Sequence, residues 1–244
     1  MLTPALLRRR LRRANWVAAG AFTVGGSLFA IGAVVAQLGS GQAVTAASIY
    51  FAGGIFFSTG GYASLLGPIN ARSKGEARRW AWWSYQPRRL DWLAAFVLFV
   101  GTLAFGVSLA DSFLKGLSAP QVNRLIWAPE VIGCVFFLIS GRLAMSDVCG
   151  RKRPCVRWRD LDWWIVAVNQ LGSVLFMVSA LAAFTRPVTD SAVNIDVANW
   201  GTMTGALCFA IGGVMQAFVR PTPTEEASPP GPPRRSWRPT SASG

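Results

Sequence analysis

Long apolar runs alternate along the chain with short segments rich in arginine, glycine and proline. Six runs exceed the roughly 18 residues that mark a membrane-spanning helix: Trp16 to Leu38, Ala46 to Leu66, Trp92 to Ala110, Ile126 to Ala144, Trp163 to Phe184 and Val197 to Val219. Only the fourth contains charged residues, Glu130 and Arg142. No segment reads convincingly as a strand. The pattern predicts an all-α polytopic membrane protein with six transmembrane helices. A cleaved signal peptide is the rival reading of the first run, with Gly41-Gln42-Ala43 as its cleavage site. That run is longer than the roughly 7 to 15 apolar residues of a signal.

The six runs carry an internal repeat. Trp16, Gly25 and Phe29 recur as Trp92, Gly101 and Phe105 and as Trp163, Gly172 and Phe176, with the same spacing each time. The even runs repeat Gly53, Phe57 and Gly61 as Gly133, Phe137 and Gly141 and as Gly205, Phe209 and Gly213. Small residues let helices approach closely, so the six glycines of the even runs are expected at helix contacts. The expected architecture is three tandem parallel two-helix hairpins, related by an axis along the membrane normal and not inverted.

Charge sets the expected orientation. The chain has 24 basic and 11 acidic residues, a net charge of +13. The basic residues cluster in the N-terminal segment, the second and fourth connections and the C-terminal tail, leaving Lys115, Arg124 and Arg186 for the other side. By the positive-inside rule both termini are cytoplasmic, in the inner membrane of a bacterium. Arginine dominance over lysine fits a GC-rich bacterial genome. The chain then divides into a basic cytoplasmic N-terminus (1–15), hairpins at 16–66, 92–144 and 163–219, basic cytoplasmic loops at 67–91 and 145–162, and a disordered tail rich in proline and arginine at 220–244.

Asn15, Asp91 and Asp162, each just before a repeated Trp, are expected to cap their helices. Trp16, Trp80, Trp82, Trp83, Trp92 and Trp163 are expected at headgroup depth. The run Arg79-Trp80-Ala81-Trp82-Trp83-Ser84-Tyr85 interleaves cations with rings, which suits anionic headgroups on the cytoplasmic face better than nucleic acid. Oligomeric state is left open. Pro230 and Pro233 form a P-x-x-P string that the composition of the tail makes unremarkable.

The third hairpin, from Trp163-Trp164-Ile165 through Asn169-Gln170-Leu171-Gly172-Ser173-Val174-Leu175-Phe176 to Gly205-Ala206-Leu207-Cys208-Phe209-Ala210-Ile211-Gly212-Gly213, resembles the YrhK-like family of small bacterial membrane proteins. The resemblance covers about 55 residues and implies fold and location, with no activity to carry over. The mitochondrial carriers share the count of three two-helix units, but their Pro-x-Asp/Glu-x-x-Lys/Arg motif is missing from the odd runs.

The chain contains no histidine, which removes the commonest general base and metal ligand. Cys149 and Cys155 fit neither a zinc knuckle nor a C-x-x-C pair and are expected as reduced loop thiols; Cys134 and Cys208 lie within runs. No catalytic, metal or cofactor site is expected. The polar candidates are Glu130, which breaks the repeat against Tyr50 and Thr202, and the pair Asn169 and Gln170. Helix rise puts Glu130 ~7 Å from the outer end of its run and Asn169 ~9 Å from the cytoplasmic end of its own, some ~14 Å apart in a ~30 Å core. The expected protein is non-enzymatic, with a cellular role the sequence does not state. The alternative is a small-solute or ion transporter whose path passes Glu130, Asn169 and Gln170; an enzyme acting on lipid ranks third.

Overall fold

The computed structural model describes residues 3–71, 79–150 and 155–219. These form six long helices: α1 (Pro4–Gln37), α2 (Ala43–Ala71), α3 (Leu90–Asp111), α4 (Ala119–Val148), α5 (Leu161–Ala182) and α6 (Ile195–Ala217). All six are long and apolar enough to cross a membrane. The C-terminal tail, with Pro230 and Pro233, and the loop segments 72–78 and 151–154 lie outside the described residues.

Two helices start earlier than their apolar runs. α1 begins at Pro4, because Thr3 Oγ1 accepts the Leu6 N–H at 3.3 Å and proline suits the first helical turn. Its arginine segment is therefore helical, with Leu7, Leu11 and Ala14 buried along one stripe and Arg8, Arg9, Arg12 and Arg13 exposed. α4 begins at Ala119, where Gln121 Oε1 accepts the Ser118 N–H at 2.9 Å. It passes through a π-helical turn at Asn123–Trp127 before reaching Pro129. Pro129 has no N–H to send to the Leu125 carbonyl, and the wider turn, closed by Ala128 N–H to Asn123 O, absorbs the mismatch.

The helices close into a ring in which α1 packs on α2 and α6, α3 on α2 and α4, and α5 on α4 and α6. The backbones of α1 and α2 meet at Gly25 and Gly53, α3 and α4 at Gly101 and Gly133, α5 and α6 at Gly172 and Gly205. A side-chain carbon on Gly133 would stand 3.0 Å from Gly101 O, and one on Gly205 3.0 Å from Gly172 O. Gly61, Gly141 and Gly213 face the other neighbour, against Thr102, Gln170 and Thr23 respectively. Branched aliphatics such as Ile31, Ile55, Val107, Ile132, Val174 and Ile211 stay exposed around the outside, the arrangement expected of a lipid-facing surface.

Six phenylalanines fill the axis. Phe29, Phe105 and Phe176 form one triangle, with centroids 5.6, 6.0 and 6.3 Å apart. Phe57, Phe137 and Phe209 form a second, at 5.2, 6.0 and 6.3 Å. The triangles join through Phe29–Phe57, Phe105–Phe137 and Phe176–Phe209 at 5.3, 6.0 and 5.4 Å. Such offset and edge-on contacts suit the ring quadrupole.

The connections at residues 38–42, 112–118 and 183–194 form one end of the bundle, here the turn end. The last holds a two-residue antiparallel ribbon, Thr185↔Ala192 and Arg186↔Ser191, where the sequence suggested no strand. Asn123 anchors it, with Nδ2 donating to Thr185 O at 2.7 Å and Oδ1 accepting the Thr185 N–H at 3.0 Å. At the opposite, basic end, Asn70 makes the same two-way amide bridge to Ala81.

The capping expectations fail in an instructive way. Asn15 lies inside α1 and donates from Nδ2 to Gln216 O and Val219 O, at 3.0 and 3.3 Å, so it serves the free carbonyls at the C-terminus of α6. Asp91 and Asp162 lie in the first turn, two residues past the caps, which are Arg89 and Asp160. Asp91 pairs with Arg89, which also donates from Nη1 to Pro68 O at 2.8 Å. Trp92 is 1% exposed, stacked on Phe96 and met edge-on by Tyr85, because the 80–89 segment folds over it. Trp16, Trp82 and Trp83 are exposed, and Trp80 and Trp163 half-buried.

Candidate functional site

Each even helix places one residue two turns before its axial phenylalanine, on the same face: Tyr50 before Phe57, Glu130 before Phe137, Thr202 before Phe209. All three line a cavity of about 690 Å³ between the phenylalanines and the turn end. Ser108 from α3 and Ser179 from α5 also line it, with Ser112 and Ala183, the first residues past the ends of those helices. Phe29 and Phe105 line its inner end. The mouth carries the exposed residues Gln37, Gly39, Ile195 and Asp196.

The mouth is organised by one glutamine. Gln37 Nε2 donates to Asp196 Oδ1 and Gln37 Oε1 accepts from Asn199 Nδ2, both at 2.6 Å, which ties the end of α1 to the start of α6. Deeper, Ser179 Oγ lies 2.6 Å from Ala198 O and 2.7 Å from Thr202 Oγ1, and Ser112 Oγ donates to Leu109 O at 2.7 Å. Those hydroxyls are hydrogen-bonded within the protein. The Glu130 carboxyl and the Tyr50 hydroxyl have no hydrogen-bond partner among the described residues. Tyr50 lays its ring over Gly32, where a side-chain carbon would come within 2.8 Å of it.

Glu130 stands 11 residues into α4, ~16 Å along the helix from Ala119. α4 starts seven residues before Ile126, so the apolar run does not mark the start of the helix. Trp127, one turn earlier, donates from Nε1 to Ala180 O at 2.8 Å and packs on Phe184.

Asn169 and Gln170 do not join this cavity. They lie on the other side of the phenylalanine cluster, each turned toward a different neighbour. Asn169 Oδ1 occupies the space beside Gly212 of α6, and Gln170 Oε1 the space beside Gly141 of α4. Both oxygens are buried with no hydrogen-bond partner among the described residues. A single path through Glu130, Asn169 and Gln170 is therefore not what the fold builds; the phenyl rings stand between them.

Cys149 and Cys155, expected as free thiols, form a disulfide with Cα atoms 5.5 Å apart, within the range a bridge spans without backbone movement. Cys134 is buried and Cys208 half-buried, both free. Among the described residues no group of three or more His, Cys, Asp or Glu side chains could hold a metal ion.

Sequence reasoning singled out Glu130 and, through the repeat, its counterparts Tyr50 and Thr202. It missed Gln37, Ser108, Ser179, Asp196 and Asn199. The signal was available for two of them: Ser108 and Ser179 each follow an axial phenylalanine by three residues. In comparisons with family descriptions, curated proteins and solved structures, nothing matches this chain.

Proposed function

We propose that this chain is a non-enzymatic, multi-pass protein of the bacterial inner membrane, in which three like-oriented hairpins enclose a small-molecule binding pocket open at one end. One observation carries the reading: a 690 Å³ cavity that ends on six packed phenyl rings. That volume lies within the roughly 300–1,000 Å³ of ligand pockets, and its mostly apolar wall with a few placed polar groups fits the same class.

The hairpin repeat is supported by correspondence of position. Three Gly–Gly crossings, two phenylalanine triangles and the Tyr50, Glu130, Thr202 set all fall at matching places in the three units. The third unit's likeness to the YrhK-like hairpin, through Gly172, Phe176, Gly205 and Phe209, supports the same arrangement. The skew of basic residues toward one end supports both termini facing the cytoplasm, with the pocket opening outward and the Trp- and Arg-rich basic end against anionic headgroups. The Cys149–Cys155 bridge sits at that basic end and speaks against this orientation, since cytosolic disulfides are rare.

Cysteine accessibility tests the pocket. Ala47→Cys and Ser112→Cys, in a background with Cys134 and Cys208 replaced by serine, should react with a membrane-impermeant thiol reagent added to intact cells. Labelling only in inverted vesicles, whose outer surface is the former cytoplasmic face, would reverse the orientation, and no labelling from either face would remove the pocket. A second reading, solute or ion transport, draws on the unpartnered Glu130 in that pocket. It requires the phenylalanine cluster to part, and Glu130→Gln would then abolish transport in reconstituted vesicles.

A further inference from the structure

The pocket's charge runs against that of the chain. In a protein with 24 basic and 11 acidic residues, the cavity wall contains no lysine and no arginine, and its two charged residues are both acidic. Asp196 sits at the mouth with Gln37 as its partner. Glu130 sits within, unpaired.

We infer that the pocket binds an organic cation: an ammonium group beside Glu130 carrying an apolar body against Phe29, Phe105 and Tyr50. This rests on the pocket reading above and names its ligand class. Four observations lead to it. Glu130 is half-buried in the pocket wall with no basic partner beside it, and a bound ammonium supplies the missing counter-charge. Phe29, Phe105 and Tyr50 surround the same space with aromatic rings, whose faces attract cations. A bare metal ion fits poorly, because calcium wants six to eight oxygens, commonly from several carboxylates, and Glu130 is the one carboxylate within the cavity, Asp196 lying at its mouth. An anion meets no basic side chain here, and a wholly apolar ligand would leave Glu130 and the Tyr50 hydroxyl unpaired.

The test uses full-length protein in phosphatidylcholine nanodiscs, with empty nanodiscs as blank, and isothermal titration of three probes sharing one body: 2-(1-naphthyl)ethylammonium, 2-(1-naphthyl)ethanol and 1-naphthylacetate. The ammonium probe should bind one per chain, at least tenfold more tightly than the alcohol, and the acetate should give no saturable heat. Glu130→Gln should abolish the tenfold preference, bringing the ammonium probe to the affinity the alcohol has for the same variant, with the melting temperature showing that the variant is folded. Should that variant misfold, Glu130→Asp keeps the charge and withdraws it by one methylene, and should retain part of the preference. Alcohol or acetate binding as tight as the ammonium, or a preference untouched by either substitution, overturns the cation inference. Ala47→Trp, which fills the cavity, separates the two claims. If it removes all binding of probes that show no charge preference, the pocket stands and the cation inference falls. If no probe binds, or Ala47→Trp changes nothing, both fall.

Discussion

Truncating Phe29 to alanine removes the ring that holds the inner phenylalanine cluster to the pocket. Phe29 is 1% exposed and meets Phe57, Phe105 and Phe176 edge-on at 5.3, 5.6 and 6.3 Å, and Tyr50 at 5.9 Å. In a soluble core the substitution costs about 3–5 kcal/mol, of which about 1.5–3 is the transfer of the ring out of water. In a bilayer the separated helices keep the ring in lipid, so the transfer part drops out and packing remains. That leaves about 2 kcal/mol, roughly a 30-fold change in the unfolding equilibrium. Reversible unfolding in bicelles, followed by steric trapping or detergent titration, measures it. Phe51→Ala is the matched control, because Phe51 lies on the exposed face against Phe113 and should cost under about 0.5 kcal/mol. Equal costs at the two positions, or a cost at Phe29 below about 0.5 kcal/mol, would refute the axial cluster as the packing centre.

Gly205→Ala should destabilise by more than about 1 kcal/mol in the same assay, since its new carbon meets Phe176 Cδ1 at 2.9 Å and Gly172 O at 3.0 Å. Gly106→Ala, with open space around it, should be neutral or stabilising, and parity between the two would mean that the Gly–Gly crossing does not limit helix approach. Gly141→Ala should be rescued in part by Gln170→Ala, because the added methyl competes with the Gln170 amide for one space; additive losses in the double variant would count against that contact. Under denaturing, non-reducing conditions an alkylating reagent should count two thiols per chain, Cys134 and Cys208, and four would contradict the Cys149–Cys155 bridge. A cysteine at Gly41 should label from outside intact cells and one at Trp158 should not; the reverse pattern would give weight to the disulfide over the basic residues.

Helix number and rough position were legible in the chain, because a bilayer demands continuous apolar runs whatever their partners. Ends and faces were not. Hydropathy cannot see that α1 continues to Pro4, because its N-terminal turns are held by only three apolar residues among five arginines. Nor could it show that Asn15 serves the end of α6, a contact across 201 residues of sequence. The spacing of Gly and Phe identified special positions, and Glu130 stood out as the one acid within an apolar run. Whether those phenylalanines face lipid or each other is a question of which way six helices turn, and lipid and core are equally apolar, so composition carries no answer. Tertiary packing decided it. By turning six rings inward it closed the axis, gave Glu130 a pocket with Tyr50 and Thr202, and left Asn169 and Gln170 beyond the rings against Gly212 and Gly141.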